Sequence, residues 1–532
     1  MQRWLSPQFG FGLLAALYLL SFPYHPGLRS PNELCRLWQS RALIDTGTLN
    51  INETLRQYGG VGDLSCVAVA MVNGQRTLVR CVGEQPPGPV IEQWYYPSKA
   101  PLTSFLAAPV YAVLKKIQNP VPELAQVFFS RLFVTVLPAL GLLWLLRKFL
   151  SDLISREIAD VMTVTYGLGT MAFSYAESFM SHQLTAVLLF SAFYAAWRTE
   201  RGEWRWWGWL VAGLASSATV ACEYTGALGV VCVAAWVIAA RWNRWPELGQ
   251  ATGLVIVGAA PLLGALLAYH AACFGSPFTS GYKFLNDANY QGWHVGGFLG
   301  IRLPDARAFA LSLFSPLRGL FALSPFLILV FWGMGPLRHK DRALFVFISV
   351  LMVANSYFTA SFTYDSWGWT VGPRHLTPMV PFLMVPVGLA LERLRARDAL
   401  TFSVSIGLCV SSVLATGLVG FVNYVPDDVS TSVWALSVPL IRDGFWPVSV
   451  LATLFTNPLS GSVLVVLLIA TTAWLAMKLK PVAVVVVLVT VLHFGALRLF
   501  TRYDSGDVGA LAFLEKVWLV PSGASIHLFG EK

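Results

Sequence analysis

Stretches of about 20 mainly apolar residues, the length needed to cross a bilayer core, recur along this chain from Leu13 to Leu499 with short polar segments between them. A chain written this way cannot bury its apolar surface in one water-solvated core, so lipid must solvate much of it. The composition agrees: 12% of residues are charged and the mean hydropathy is +0.61, against about 25% charged in an ordinary globular domain. Counting such stretches predicts an all-α polytopic membrane protein of about thirteen transmembrane helices.

The formal net charge of +9 would suit a nucleic-acid ligand if it formed one patch, but the basic residues fall in small clusters one helical hairpin apart. They gather at Arg147, Lys148 and Arg156, at Arg198, Arg201 and Arg205, at Arg241 and Arg244, at Arg338, Lys340 and Arg342, at Arg393, Arg395 and Arg397, and at Lys478 and Lys480. Cytoplasmic connections are enriched in Lys and Arg, so the clusters read as topology and exclude nucleic acid as a partner. They put Arg3 and the N-terminus inside, and an odd number of spans leaves the segment after Phe500 outside. Residues 1–23 lack a small-residue cleavage site before Pro23 and read as a retained first span. The expected organisation is a first span over 1–23, an exoplasmic loop over 24–101, a transmembrane bundle over 102–499 and an exoplasmic tail over 500–532.

The loop is the longest polar interval in the chain. Within it Leu64 to Val72 and Gln75 to Val82 are β-prone runs around Asn73-Gly74, a strong signal for a two-residue hairpin. Val72 then faces Gln75, and counting outward brings Cys66 opposite Cys81. Opposed strand residues have Cα atoms about 4.5–5.5 Å apart, within reach of a disulfide, which an exoplasmic compartment would favour. The remaining cysteines show no metal-ligand spacing, no metal-binding residue is assigned, and a divalent metal requirement is left open.

On this topology seven of the eight histidines lie outside or near outer span ends, among them His25, His182, His270, His294 and His375. Glu177, Glu223, Arg131, Asp365 and Arg374 belong to the same layer, while the middles of the spans are almost uncharged. Ion-coupled transporters place ionisable groups near the midplane, so chemistry is expected at the outer rim. After the first span the chain reads Ser30-Pro31-Asn32-Glu33-Leu34-Cys35-Arg36, opening an amphipathic stretch that ends near Asp45. Glu33 and Arg36 would share a helix face at the membrane surface. Further on, Trp94-Tyr95-Tyr96-Pro97-Ser98-Lys99-Ala100-Pro101-Leu102 returns the chain to the membrane with a cation at its edge.

These motifs resemble the C-type (GT-C) membrane glycosyltransferases, particularly the aminoarabinose transferases of lipid A and the protein O-mannosyltransferases. Pro31-Asn32-Glu33 stands where that family has an acidic pair, and Lys99-Ala100-Pro101-Leu102 is similar to its Lys-Pro-Pro-Leu return. The segments Phe274 to Tyr282, Ser315 to Phe321 and Trp367 to His375 resemble those of bacterial membrane proteins grouped near these transferases. The resemblance implies a GT-C-like bundle with a long first exoplasmic loop, in the bacterial inner membrane, moving a sugar from a polyprenyl-phosphate carrier to an exoplasmic lipid, polymer or protein acceptor, with inversion.

It further implies Glu33 as catalytic base with Asp45 in reserve, and Arg36, Lys99 and Arg374 as ligands of the donor phosphate, since fixed cations stabilise a departing phosphate and arginine suits its geometry. Tyr95, Tyr96, Asp365, Trp367, Trp369, Glu177 and His182 are the expected substrate contacts. A flippase or transporter of lipid-linked sugars, or a non-catalytic scaffold of a cell-envelope complex, are the alternatives.

Overall fold

The computed structural model describes residues 5–25, 30–81, 88–295, 300–362, 368–518, 520 and 523–529; Asp365 and Trp367 lie outside the described residues. The chain is an integral membrane protein, mostly helical, with one small sheet. Six helices are long and apolar enough to cross a membrane: Glu123–Ser151, Trp245–Phe274, Arg342–Ser361, Arg374–Arg397, Ala399–Val422 and Asn457–Lys478. Shorter apolar helices include Pro7–Leu20, Trp207–Cys222 and Ala483–Leu499.

The expected count of about thirteen spans is therefore not established. One reason is segmentation. The apolar run after Gly319 is cut by Ser324 and Pro325 into a short helix (Leu320–Leu323), a 3-10 turn (Pro325–Leu329) and a further helix (Val330–Lys340). Another is burial: Ser181–Glu200 is 20 residues long but carries Ser, His, Gln and Thr, and most of it packs inside the protein rather than against lipid.

The loop over 24–101 is more structured than a hairpin. Helix α1 (Pro7–Leu20) leads to α2 (Pro31–Asp45), which starts on a proline placed where the first helical N–H has no partner anyway. After α3 (Asn52–Tyr58) come strands β1 (Leu64–Val72), β2 (Gln75–Arg80) and β3 (Val90–Pro97), ordered β2-β1-β3 and antiparallel throughout. The hairpin register pairs Val72 with Gln75, and Asn73 and Gly74 have φ of 51° and 76°, as a two-residue primed turn requires. Cys66 and Cys81 are disulfide-bonded with Cα atoms 5.4 Å apart.

Strand β3 is the element the sequence reading missed. The Trp94-Tyr95-Tyr96 run, read there as a return to the membrane, pairs along β1 before α4 (Leu102–Ile117) begins. Nor does α2 lie on the surface: Asn32 through Ala42 are all buried, and each polar side chain among them that can be traced pairs inside the protein. The tail packs back on the same end of the molecule. His25 Nε2 donates to the Val422 carbonyl at 3.1 Å and its ring packs tilted against Trp518 with centroids 4.7 Å apart, while Asp507 holds the N–H and hydroxyl of Ser430, each at 2.6 Å.

Helices Trp207–Cys222 and Trp245–Phe274 cross at backbone contact. A Cβ at Gly213 would fall 2.0 Å from the Val255 carbonyl oxygen, and one at Gly258 would fall 2.1 Å from that of Leu210. Small residues at such crossings let helices associate where no hydrophobic force drives them. Gly258→Leu should therefore destabilise the protein by about 1–3 kcal/mol or more, read as a lowered thermal unfolding midpoint in detergent; an unchanged midpoint would show that this crossing is not close-packed.

Candidate functional site

Helix ends and loop segments converge on a polar chamber of about 590 Å³. Its position follows from the sheet. Leu64 pairs with Pro97, and one step outward the Ser98 N–H donates to the Asp63 carbonyl at 3.0 Å. That register sets Asp63 beside Lys99, whose Nζ stands 3.2 Å from Asp63 Oδ1. Asp63 has φ of 59°, a left-handed conformation that aspartate tolerates better than most residues. The Ser65 hydroxyl donates to the Gly281 carbonyl at 2.7 Å and so fixes the turn carrying Tyr282, whose ring lies 5.4 Å from Lys99 Nζ.

The remaining wall comes from the helical body. His182 sits in the first turn of Ser181–Glu200, Glu223 follows Cys222 at a helix end, and Arg374 and His375 open the 3-10 turn Arg374–Met379. Asn32, Asp287, His294, Trp369, Tyr424 and Asp427 complete the lining that matters chemically. Asp427 is paired with Arg318 at 2.7 Å, and the His294 ring stacks on Tyr282 with centroids 4.3 Å apart. Arg374 is different: its buried Nε has no hydrogen-bond partner, and among the described residues the guanidinium has no ion pair.

Burial by itself would raise the Asp63 carboxyl, but the charges of Lys99, Arg374 and Arg36 outweigh it and hold the group below its ordinary 3.8. Asp63 is thus an anion at neutral pH, and Lys99 is held in place by it.

Of the expected site residues, Lys99, Arg374, His182 and Trp369 line this chamber. Glu33 does not, and its expected role as base requires correction. Both its oxygens are taken: Arg131 donates to them at 3.0 and 2.8 Å, the Tyr424 hydroxyl donates at 2.9 Å, and the Phe179 N–H makes a further short bond. A buried carboxylate with four donors has no lone pair left for a substrate proton. Arg36 is not its partner on α2; it turns to the carbonyl and side-chain oxygens of Asn32 and, at 3.1 Å, to Ser181 Oγ. It stands behind the wall and acts on it through Ser181, whose hydroxyl donates to Glu223.

The reserve acid, Asp45, lies twelve residues further along α2, about 18 Å at 1.5 Å per residue, where Lys115 and Tyr111 hold it at 2.6 and 2.8 Å. Tyr95 and Tyr96 are committed to the sheet: the Tyr95 hydroxyl takes the Gln93 amide at 2.7 Å, and the Tyr96 ring packs edge-on to Phe274. Glu177 is buried near Arg131, away from the chamber, and burial raises its carboxyl well above the ordinary range against the pull of that arginine. Asp63, Glu223, Tyr282 and His375 were not among the expected site residues. Asp63 had no local signal, because its place beside Lys99 follows from the pairing of β1 with β3.

Below the chamber a longer apolar groove of about 990 Å³ runs between the helices Ala227–Ala240 and Arg342–Ser361, lined by Leu228, Val231, Val350, Val353 and Tyr357. Glu223, Tyr282, His294, Phe362 and His375 line both cavities. Among the described residues no group of three or more His, Cys, Asp or Glu side chains is placed to hold a metal ion.

Fold and site together define a polytopic membrane protein whose polar chamber shares five wall residues with an apolar groove. No protein-family model matches the chain, and no curated protein matches it. Among solved structures it is similar to ArnT from Cupriavidus metallidurans in the apo state, with a TM-score of 0.49 and 13% identity, covering 96% of this chain and 88% of that one. It is also similar to ArnT from Cupriavidus metallidurans bound to undecaprenyl phosphate, with a TM-score of 0.45 and 12% identity, covering 88% of this chain and 75% of that one.

Two outcomes follow from this geometry. Glu33→Gln should act on folding, because removing one partner of a buried ion pair costs about 3–5 kcal/mol; thermal unfolding in detergent would show a large fall, and a fully stable variant would contradict the structural role. The Asp63–Lys99 pair stabilises the protein fully above the carboxyl's unfolded value and loses that contribution as pH falls through the lower folded value. Stability measured from pH 7 downward should therefore drop below about pH 4, with Asp63→Asn flattening that part of the profile.

Proposed function

We propose that this protein is a membrane glycosyltransferase that takes its sugar from a polyprenyl-phosphate carrier and transfers it at the non-cytoplasmic rim, with the N-terminus cytoplasmic and the residues after 500 exoplasmic. The observation that carries this reading is the adjacency of a cation-bearing polar chamber and an apolar groove, which share five wall residues. A ligand that fills both must carry a polar, anionic head on a long apolar tail. Lipid-linked sugar phosphates have that form.

In this reading the carrier's chain lies between Ala227–Ala240 and Arg342–Ser361, and its phosphate meets Arg374 and Lys99. The Arg374 guanidinium, which has no ion pair among the described residues, is a planar fork suited to two phosphate oxygens. Lys99 adds a second cation whose position Asp63 fixes. Both stabilise charge that grows on the phosphate as the sugar departs, which is where fixed charges accelerate a reaction. The sugar lies in the chamber against Trp369 and the polar wall, and an acceptor hydroxyl attacking opposite the phosphate inverts the anomeric centre. Arg36 supports the site through Ser181 and Glu223 instead of touching the phosphate.

Charge-assisted hydrogen bonds contribute about 1.5–3 kcal/mol each, so Arg374→Gln should weaken binding of undecaprenyl phosphate to the purified protein at least tenfold and abolish most sugar transfer. Val353→Trp, which fills the groove without touching the chamber's charges, should weaken binding of the long-chain carrier while sparing that of a short-chain analogue. Equal binding of carrier by wild type and Arg374→Gln would refute the assignment. Movement of carrier-linked sugar across proteoliposomes without transfer would identify a transporter instead.

A further inference from the structure

Transfer to a hydroxyl needs a group that takes the hydroxyl's proton within hydrogen-bond reach. The chamber's acidic and basic side chains narrow the choice. Asn32 is an amide whose oxygen already accepts from Arg36, Glu33 has no lone pair left, Asp63 is matched to Lys99 at 3.2 Å, and Asp427 is matched to Arg318 at 2.7 Å. Asp287 lies toward Arg80 at the outer edge, where their charges interact. The His294 ring is stacked flat on Tyr282. The His375 ring is packed between Phe358 at 5.4 Å and Phe362 at 5.6 Å.

His182 is the exception. Its Nδ1 lies 3.8 Å from Glu223 Oε2, the one histidine–carboxylate approach within 4.0 Å among the described residues. Its Nε2 is buried and has no hydrogen-bond partner among the described residues. The ring is braced edge-on by Tyr175 at 5.1 Å and His375 at 5.8 Å. Glu223 is itself held by the Ser181 hydroxyl, which takes Arg36 Nη2 at 3.1 Å. Arg36, Ser181, Glu223 and His182 thus form a chain in which a fixed carboxylate faces one imidazole nitrogen and leaves the other as proton acceptor.

We infer that His182, oriented by Glu223, is the base that deprotonates the attacking acceptor hydroxyl. The inference rests on the proposed transfer reaction. The acceptor oxygen forms its bond to the anomeric carbon as its proton passes to Nε2. The bond from that carbon to the carrier phosphate breaks, and its electron pair stays on the phosphate oxygen held by Arg374 and Lys99. The imidazolium is stabilised by Glu223 and returns its proton to water once the products leave. A movement of about an ångström brings Nδ1 within the 2.7–3.2 Å of a hydrogen bond to the carboxylate.

The test uses the full-length protein in proteoliposomes, a panel of undecaprenyl-phosphate-linked hexoses and pentoses, and a cell-envelope lipid extract as acceptor, with release of undecaprenyl phosphate as the readout. His182→Gln should lower the transfer rate by about 10²–10⁴-fold, the usual contribution of general-base catalysis, while binding undecaprenyl phosphate as wild type does. A His182→Gln rate within threefold of wild type overturns the inference. A wild-type protein that neither binds undecaprenyl phosphate nor releases it from any donor overturns the transferase reading instead.

Glu223→Gln, which keeps the side chain's shape, decides the matter if His182→Gln does not fold. The charged and titratable groups facing His182 are Glu223, Tyr175, His375, Arg374, Arg36 and Lys99. Removing the single anion among the nearest of them destabilises the imidazolium, so the acidic limb of the pH–rate profile should move to lower pH. A limb that stays in place with Glu223→Gln overturns the role of the pair.

Discussion

The buried pair between Glu33 and Arg131 is the contact on which the rest of the rim depends. It joins the first turn of α2 to the Glu123–Ser151 span across 98 residues of chain, with both guanidinium bonds at 3.0 Å or less. The same carboxylate gathers the Phe179 N–H from the segment before Ser181–Glu200 and the Tyr424 hydroxyl from the segment after Ala399–Val422. Four parts of the chain are thus tied to one side chain. Removing two charges from water is costly, and a pair of this kind is tolerated where its remaining lone pairs and protons are satisfied; the Arg131 fork also reaches the Pro23 carbonyl at 3.0 Å. The consequence is positional. Asn32, Met180, His182 and Tyr424 sit next to these tied points, and all four line the chamber.

A similar logic holds on the other wall, where the sheet takes the place of the ion pair. The disulfide and the β1–β2 register make a rigid plate, β3 closes its second edge, and the Ser65 bond to Gly281 couples that plate to the turn carrying Tyr282. Lys99 emerges from the end of β3 with its direction set by backbone pairing as well as by Asp63. The polar chamber is therefore built between two tied supports, and the helices Ala227–Ala240 and Arg342–Ser361 border the adjoining groove. In the proposed reaction this division gives the head group fixed partners and leaves the tail a surface that needs only to be apolar.

Local chemistry made part of this legible in the sequence. Asn73-Gly74 sets the hairpin register by itself, because a two-residue turn with both φ angles positive leaves one way to pair its flanks, and the disulfide follows from that register. Lys99, Arg374, His182 and Trp369 were readable as rim residues because charge and aromatic rings collect at span ends. Glu33 was expected as the base because the family's acidic motif falls on it, whereas its oxygens are engaged by Arg131, a distant residue that no local spacing indicates. Burial of α2 hid for the same reason: its Glu, Arg, Gln and Ser look solvent-facing until each finds a partner on another helix. β3 was lost because three consecutive aromatics before a proline read equally well as an interfacial belt. Asp63 became a site residue only when β1 and β3 were paired, since the contact with Lys99 spans the sheet rather than the sequence.

The charge pattern of the chamber explains why it would favour an anion although several carboxylates line it. Lys99 cancels Asp63, and Arg318 cancels Asp427. Arg36 spends its hydrogen bonds on Asn32 and Ser181. Glu223 is held by the Ser181 hydroxyl and Asp287 lies toward Arg80, while the guanidinium at Arg374 has no ion pair among the described residues. A cation removed from water without a partner carries a desolvation cost, so an arriving phosphate gains from Arg374 more than it would from a cation already matched. In the proposed reading, a ligand whose anionic group lies in the chamber can lay its apolar part along the groove, because five residues line both cavities. Selectivity for an amphiphilic phosphate in the proposed reaction would come from the joint geometry of the Arg374 guanidinium and the apolar groove, and neither feature alone would supply it.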